Sequence, residues 1–158
     1  MQVHDPIIVR GDILRVTEYD NGKITKKRFK NTVLNNGRRA LTASLANQFG
    51  DMYSFFIHKM VFGDGGCEGE AERFIGAERT GLFGITRAAK PVITRIDNTT
   101  PSQLILTSIL TFDDANDYVL NEMGLQMANG QLYSMVTMPN FTKRSNMQLT
   151  WSWRLSFL

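Results

Sequence analysis

From Asn146 to Leu158 polar and apolar side chains alternate without a slip, and no other stretch constrains the fold as strongly. Met147, Leu149, Trp151, Trp153, Leu155 and Phe157 fall on one side, and Asn146, Gln148, Thr150, Ser152, Arg154 and Ser156 on the other. Successive Cβ atoms of a strand point to opposite faces of its sheet, so a period of two predicts a β-strand with one buried and one solvated face. A helix would mix the two sets. Each tryptophan can bury roughly 200 Å², and at about 25 cal/mol per Å² this strand contributes several kcal/mol of hydrophobic stabilisation.

The remaining segments supply partners for such a strand. Asp5 to Gly11 contain Pro6 and no periodic pattern, which predicts an extended arm over residues 1–11 and one β-sandwich domain over residues 12–158. Asp12 to Tyr19 alternate and meet the turn signal Asp20-Asn21-Gly22, and Lys23 to Lys30 return as an outer strand whose Lys26, Lys27, Arg28 and Lys30 must face water or an acidic partner. A helix is expected over about residues 36–49, capped by Asn35 or Asn36, with Leu41, Leu45 and Phe49 at i, i+4 and i+8 beside Ala40, Ala43 and Ala46.

Phe55 to Phe62 reads as a covered strand, followed by Gly63-Asp64-Gly65-Gly66 and an acidic stretch to Gly84. That stretch is long for a plain connection and predicts a binding or assembly element. Val92 to Ile96 and Gln103 to Phe112 flank the turn residues 97–101, and Tyr118 to Ala128 and Gln131 to Met138 flank Asn129-Gly130. The sum is a mainly β fold, a β-sandwich or jelly-roll-like arrangement with one packed α-helix.

Composition excludes several classes. A hydrophobic fraction of 42% with no apolar run near the roughly 20 residues of a membrane span predicts no membrane contact. The first ten residues hold no apolar segment after a basic start, which predicts synthesis without Sec export, in the cytoplasm. Cys67 is the one cysteine, so an intramolecular disulfide is impossible. Charge is polarised: residues 1–40 carry nine Lys/Arg against four Asp/Glu, whereas residues 64–78 carry five acids and one Arg. Opposite charge on one small domain favours contact between like subunits or with a charged partner.

Catalytic and metal chemistry find little footing, and the expectation is a non-enzyme without cofactor or metal. His4 and His58 are far apart, and His58 alternates with Phe56 and Met60 as a sheet residue would. Asp113, Asp114, Asn116 and Asp117 are oxygen-rich, but they lack EF-hand spacing, so a solvated turn is favoured over calcium. Gly63-Asp64-Gly65-Gly66 lacks the Lys-Ser/Thr of a phosphate loop, and Glu70 and Glu72 have no apolar neighbours to make a catalytic pair. The basic set with Arg38 and Arg39 is the best case for nucleic acid, yet stacking aromatics are not interleaved with it, so nucleic acid is not the expected partner. Met123, Met127, Met135, Met138 and Met147 read as core filler.

Four pieces carry a family resemblance: Asn31 to Leu41, Phe62-Gly63-Asp64-Gly65-Gly66, Leu120-Asn121-Glu122-Met123-Gly124-Leu125, and Lys143 to Phe157 with its Trp-x-Trp. In order and spacing they resemble the small virion structural proteins of tailed bacteriophages, associated with tail, neck and head, over residues 30–158. Within the third piece Glu122 is suited to accept backbone hydrogen bonds at a sheet margin. The resemblance implies no catalytic residue. It implies a structural component of the virion, at the tail, neck or collar or at a fibre attachment, acting through homo-oligomeric contacts and contacts with other virion proteins. The competing roles are head (capsid) decoration and a receptor- or glycan-binding tail tip. Candidate assembly residues are Lys26, Lys27, Arg28, Lys30, Arg38 and Arg39 on the basic side and Glu68, Glu70 and Glu72 on the acidic side.

Overall fold

The structure, a computed structural model, describes residues 8–46, 56–99 and 102–158. The alternating C-terminal segment is β12 (Met147–Phe157), the middle strand of a five-stranded antiparallel sheet. On one side it pairs along its whole length with β1 (Val9–Tyr19), which in turn pairs with the edge strand β2 (Ile24–Lys30). On the other it pairs with β9 (Ser102–Leu110), followed by the second edge strand β8 (Ile93–Asp97). Met147, Leu149, Trp151, Trp153 and Leu155 are all buried, as the period of two requires.

A second five-stranded sheet lies against these side chains, in the order β3 (Thr32–Val33), β11 (Leu132–Thr142), β10 (Val119–Met127), β4 (Ile57–Gly63) and β7 (Thr86–Pro91). Met60, Phe62, Met123, Leu125, Val136 and Met138 fill the space between the sheets with Ile13, Leu106 and the two tryptophans. The β-sandwich expectation therefore holds, and the five methionines of the C-terminal half are all buried.

Two single residues carry the chain between the sheets. Asn31 separates the edge strands β2 and β3, and Val92 separates β7 and β8. Residues 86–91 have no alternation of their own, so β7 carries no local signal in the sequence. Both expected Asn-Gly turns are present: the Lys23 N–H donates to Asn21 Oδ1 at 2.9 Å, and the Gln131 N–H donates to Asn129 Oδ1 at 2.9 Å; residues 100 and 101 of the expected turn 97–101 lie outside the described residues. Gly22 and Gly130 take φ of +84° and +86°, where a side chain would be strained.

Three boundaries differ from expectation. β1 begins at Val9, so Val9 to Gly11 pair with Phe157 to Leu155 where an arm was expected; residues 1–7 lie outside the described residues. β11 runs on past Pro139 to Thr142, because Leu120 pairs with Phe141 but Glu122 with Thr137, and Pro139 sits in the resulting bulge where no ladder N–H is needed. The helix α1 spans Asn35–Leu45, with residues 47–49 of the expected span outside the described ones.

Neither asparagine caps the helix, since the N-cap position is Leu34 and no side chain bonds there. Of the expected leucine stripe, Leu41 is half-buried against the core. Asn36, Gly37 and Ala40 are buried, whereas Leu45 is 86% exposed. Gly37 lets the helix touch the strand backbone, because a Cβ there would collide with the carbonyl oxygen of Tyr133. Small residues set the approach distance, and that outweighs the periodicity of the larger ones.

Replacing Trp153, fully buried in the middle of β12, by Asp puts a charge in the core and is expected to abolish folding. Ser152→Asp, one residue away on the other face, is expected to change the thermal midpoint little. Circular dichroism melts of the two variants check the pair of outcomes; equal melts would contradict the assignment of faces.

Candidate functional site

The two outer faces of the sandwich are treated differently. Over the second sheet lies the long segment between β4 and β7. It begins with the two-stranded hairpin of β5 (Cys67–Glu68) and β6 (Ala71–Glu72) and continues through Ile75, Leu82 and Phe83. Ile75 packs with Leu34, Val61, Leu132 and Met135 in a second apolar cluster, against which Leu82 and Phe83 rest. This sheet is therefore buried on both sides.

What holds the segment down is a buried carboxylate. Glu122, on the outer side of β10 and fully buried, accepts the N–H of Gly65 at 2.9 Å, of Gly84 at 2.8 Å and of Phe83 at 2.7 Å. Beside it Asn121 Oδ1 accepts the Gly66 N–H at 2.7 Å, and its amide passes a hydrogen bond to Asn140, which donates to the Gly69 carbonyl in the tip of the hairpin. Asp64 closes the far end, accepting the Ile85 N–H at 3.0 Å and meeting Arg87 at 2.7 Å. The expectation that Glu122 receives backbone N–H groups is met, three times over.

The hairpin presents Glu68, Glu70 and Glu72 to solvent, with no base between residues 67 and 72. Arg73 reaches Glu68 at 3.7 Å, but both side chains are largely exposed and the pair contributes little. Cys67 donates its thiol to the Met138 carbonyl. Burial first, and then the negative charge of Glu72 and Glu70, push that thiol up from its ordinary value, so it is held as the unreactive protonated form.

On the other side of the sandwich nothing among the described residues covers the outer face of the first sheet. Registry puts Lys26, Arg28 and Lys30 of β2, Arg10 of β1, Arg154 of β12 and Arg95 of β8 on that face. Their like-facing acids are Asp12, Glu18 and Asp97, and none of the six cations lies within ion-pair distance of a carboxylate among the described residues. Asp97 is drawn into its own turn, where bonds from the Thr99 N–H and hydroxyl hold it below the usual carboxylate range.

The sequence-derived basic set is thus divided. Lys27 turns to the inner side, 5.5 Å from the Phe29 ring. Arg38 lies on α1 and shares with Arg10, Asp12 and Lys30 a cleft of about 560 Å³ at the end of β2, whereas Arg39 stays near Asn36 on the helix. Arg10, Arg95 and Arg154 were not singled out from the sequence. Arg154 already stood on the wet side of the alternation, and the other two needed the strand registers to join it.

Two cations are held inside, Arg15 and Lys143. Arg15, on the inner face of β1, stacks its guanidinium 4.0 Å above the Phe141 ring with Phe29 and Trp151 nearby. Burial lowers its pKa from the ordinary arginine value. Its neighbours are rings, not carboxylates, so its role is packing and cation–π contact.

The acidic turn after β9 is bound into the protein. Asp114 meets Lys90 at 2.7 Å and accepts from the N–H and hydroxyl of Thr111; Asp117 meets Arg144 at 2.7 Å. Asn116 accepts from the buried amine of Lys143 at 2.8 Å. These oxygens turn toward cations rather than toward a common centre, and among the described residues no group of three metal-ligating side chains converges.

Residues 26–152 match the family described as phage tail-collar fibre protein, N-terminal. The match takes in the charged half of β2, which the resemblance read from the sequence had left outside. No curated protein and no solved structure matches the chain significantly.

Glu122→Ala leaves three backbone N–H groups without their acceptor, at a cost of about 2–4 kcal/mol. Hydrogen exchange is expected to quicken at Gly65, Phe83 and Gly84 while β12 stays protected; unchanged exchange at those amides would show that the loop is held by its apolar contacts alone. Asp114 supplies a pH test. Burial pushes its carboxyl up, but the bonds from Lys90 and Thr111 together outweigh this and leave it below its ordinary value. Its stabilisation is therefore present above the unfolded carboxylate value of about 3.9 and is lost as pH falls through the lower folded value. Asp114→Asn should lower the melting midpoint at neutral pH, and the gap from the parent protein should close in strong acid.

Proposed function

Since the chain belongs to the phage tail-collar fibre protein N-terminal family, we propose that it is a non-enzymatic attachment domain at the tail or collar of the virion, working through contacts with copies of itself and with other virion proteins. The family membership makes it a tail-fibre structural protein; its exact position and its oligomeric contacts are the proposal. The observation that carries it is the contrast between the two outer faces. One is sealed by an ordered loop fixed by Glu122, and the other is an open, cationic five-stranded surface. The buried polar groups around Glu122 bind backbone and hold a shape, which is what an assembly part requires and a catalyst does not.

The competing placement on the head as a decoration protein would use the same sandwich, so it is separated by location. Mass spectrometry of purified particles is expected to find the chain, and antibody-gold labelling is expected to mark the tail or neck. Label spread over the head would move the assignment to decoration, and absence from particles would remove the virion role.

A further inference from the structure

The open face of the first sheet has a complement on the same molecule. Lys26, Arg28 and Lys30 recur at every second residue of the edge strand β2, so their charges form a row on the outer face, continued by Arg10 and Arg154. Aliphatic side chains are interleaved with them, the half-buried Leu14 and Val16 on β1 and the exposed Ile109 on β9, and among the described residues no aromatic ring stands there to stack on a base. The β5–β6 hairpin carries the opposite charge and lies beyond the second sheet, on the opposite side of the sandwich. It is short and held at its tip by Asn140. Glu70 stands in the turn, with Glu68 and Glu72 on the two strands.

We propose that the cationic outer face of the first sheet receives the acidic β5–β6 hairpin of a second copy of this chain, so that copies stack front to back. This deepens the assembly reading above and rests on it. The hairpin reaches a row of cations that have no carboxylate within ion-pair distance among the described residues, and the partly exposed aliphatic residues between them supply the dry part of the contact. Because donor and acceptor surfaces lie on opposite sides of one subunit, each copy added leaves both kinds of surface open for the next. Such a heterologous contact builds a ring when the rotation closes and a stack when it does not.

The test uses two triple variants of the full chain, Lys26→Glu/Arg28→Glu/Lys30→Glu and Glu68→Lys/Glu70→Lys/Glu72→Lys, with sedimentation velocity as the readout. The parent protein is expected to self-associate, and to weaken at least about tenfold when the salt is raised from about 0.05 M to about 0.5 M. Each variant alone is expected to be monomeric, and an equimolar mixture of the two is expected to associate again, since reversed face then meets reversed hairpin. A monomeric parent, variants that still associate, or a mixture that stays monomeric would each overturn the proposal. If a triple variant fails to fold by circular dichroism, the single pair Arg28→Glu and Glu70→Lys is read in the same way. Fluorescence anisotropy with duplex DNA covers the remaining occupant: binding lost in the lysine-arginine variant, with self-association intact, would assign the face to nucleic acid instead. Mass spectrometry of particles keeps the two levels apart, because a chain found in particles whose variants ignore charge reversal refutes the stacking and leaves the virion role standing.

Discussion

A carboxylate buried with no cation beside it must be met by hydrogen-bond donors, and the shape of this molecule follows from how Glu122 is met. Its two oxygens take three backbone N–H groups from one loop, at Gly65, Phe83 and Gly84. Charge-assisted bonds of this kind are stronger than neutral ones, and each removes a donor that the interior would otherwise penalise. The loop so fixed lays Ile75, Leu82 and Phe83 over the second sheet, giving that sheet a second apolar layer. It also sets the acidic hairpin in place, since Gly66, adjacent to the carboxylate's donors, is held by Asn121. Among the described residues the sandwich is therefore sealed on one side only.

The first sheet is stable without such a cover because its middle strand is so heavily buried from the inside. Trp151 and Trp153 are fully buried, yet among the described residues neither indole N–H has a hydrogen-bond partner, and the Tyr133 hydroxyl is likewise unpartnered there, its pKa raised to about 12 by burial. Leaving a donor unpaired costs about 1–3 kcal/mol. Burying roughly 200 Å² of ring returns about 5 kcal/mol on area grounds, so the hydrophobic term wins at each indole. Trp151 also meets Phe62 of the opposite sheet at 5.4 Å between ring centres, which ties the layers together across the core.

The alternation from Met147 to Phe157 made β12 legible, and the Asn-Gly turns made two hairpins legible, because both signals are local. Glu122 was legible as an acceptor because a lone acid within an apolar strand needs donors. The inner face of β1 was not. Ile13, Arg15 and Thr17 point inward and Leu14 and Val16 outward, which alternation alone leaves open; pairing of Ile13 with Trp153 and Arg15 with Trp151 decides it. The helix misled at one position for a related reason: Leu41 packs on the core as its period suggests, but Leu45 does not, and the most deeply buried face is the small one that lets α1 reach the Tyr133 backbone. The charged candidates were grouped by sequence, and registry regrouped them, separating Lys27 from its neighbours and adding Arg10, Arg95 and Arg154.

That regrouping bears on which assemblies the surfaces permit. A two-fold dimer places a patch against itself, and the outer face of the first sheet carries Arg10, Lys26, Arg28, Lys30, Arg95 and Arg154 against Asp12, Glu18 and Asp97. Pressing two such faces together sets cation against cation while removing the water and salt that screen them, so the isologous pairing is penalised. The hairpin with Glu68, Glu70 and Glu72 meets the same objection against its own copy. Only the unlike pairing brings opposite charges together, and it joins the two sides of the sandwich that the Glu122-fixed loop has made different. Asymmetry within the subunit thus favours the proposed front-to-back contact over a two-fold one, and such a contact would set every copy facing the same way.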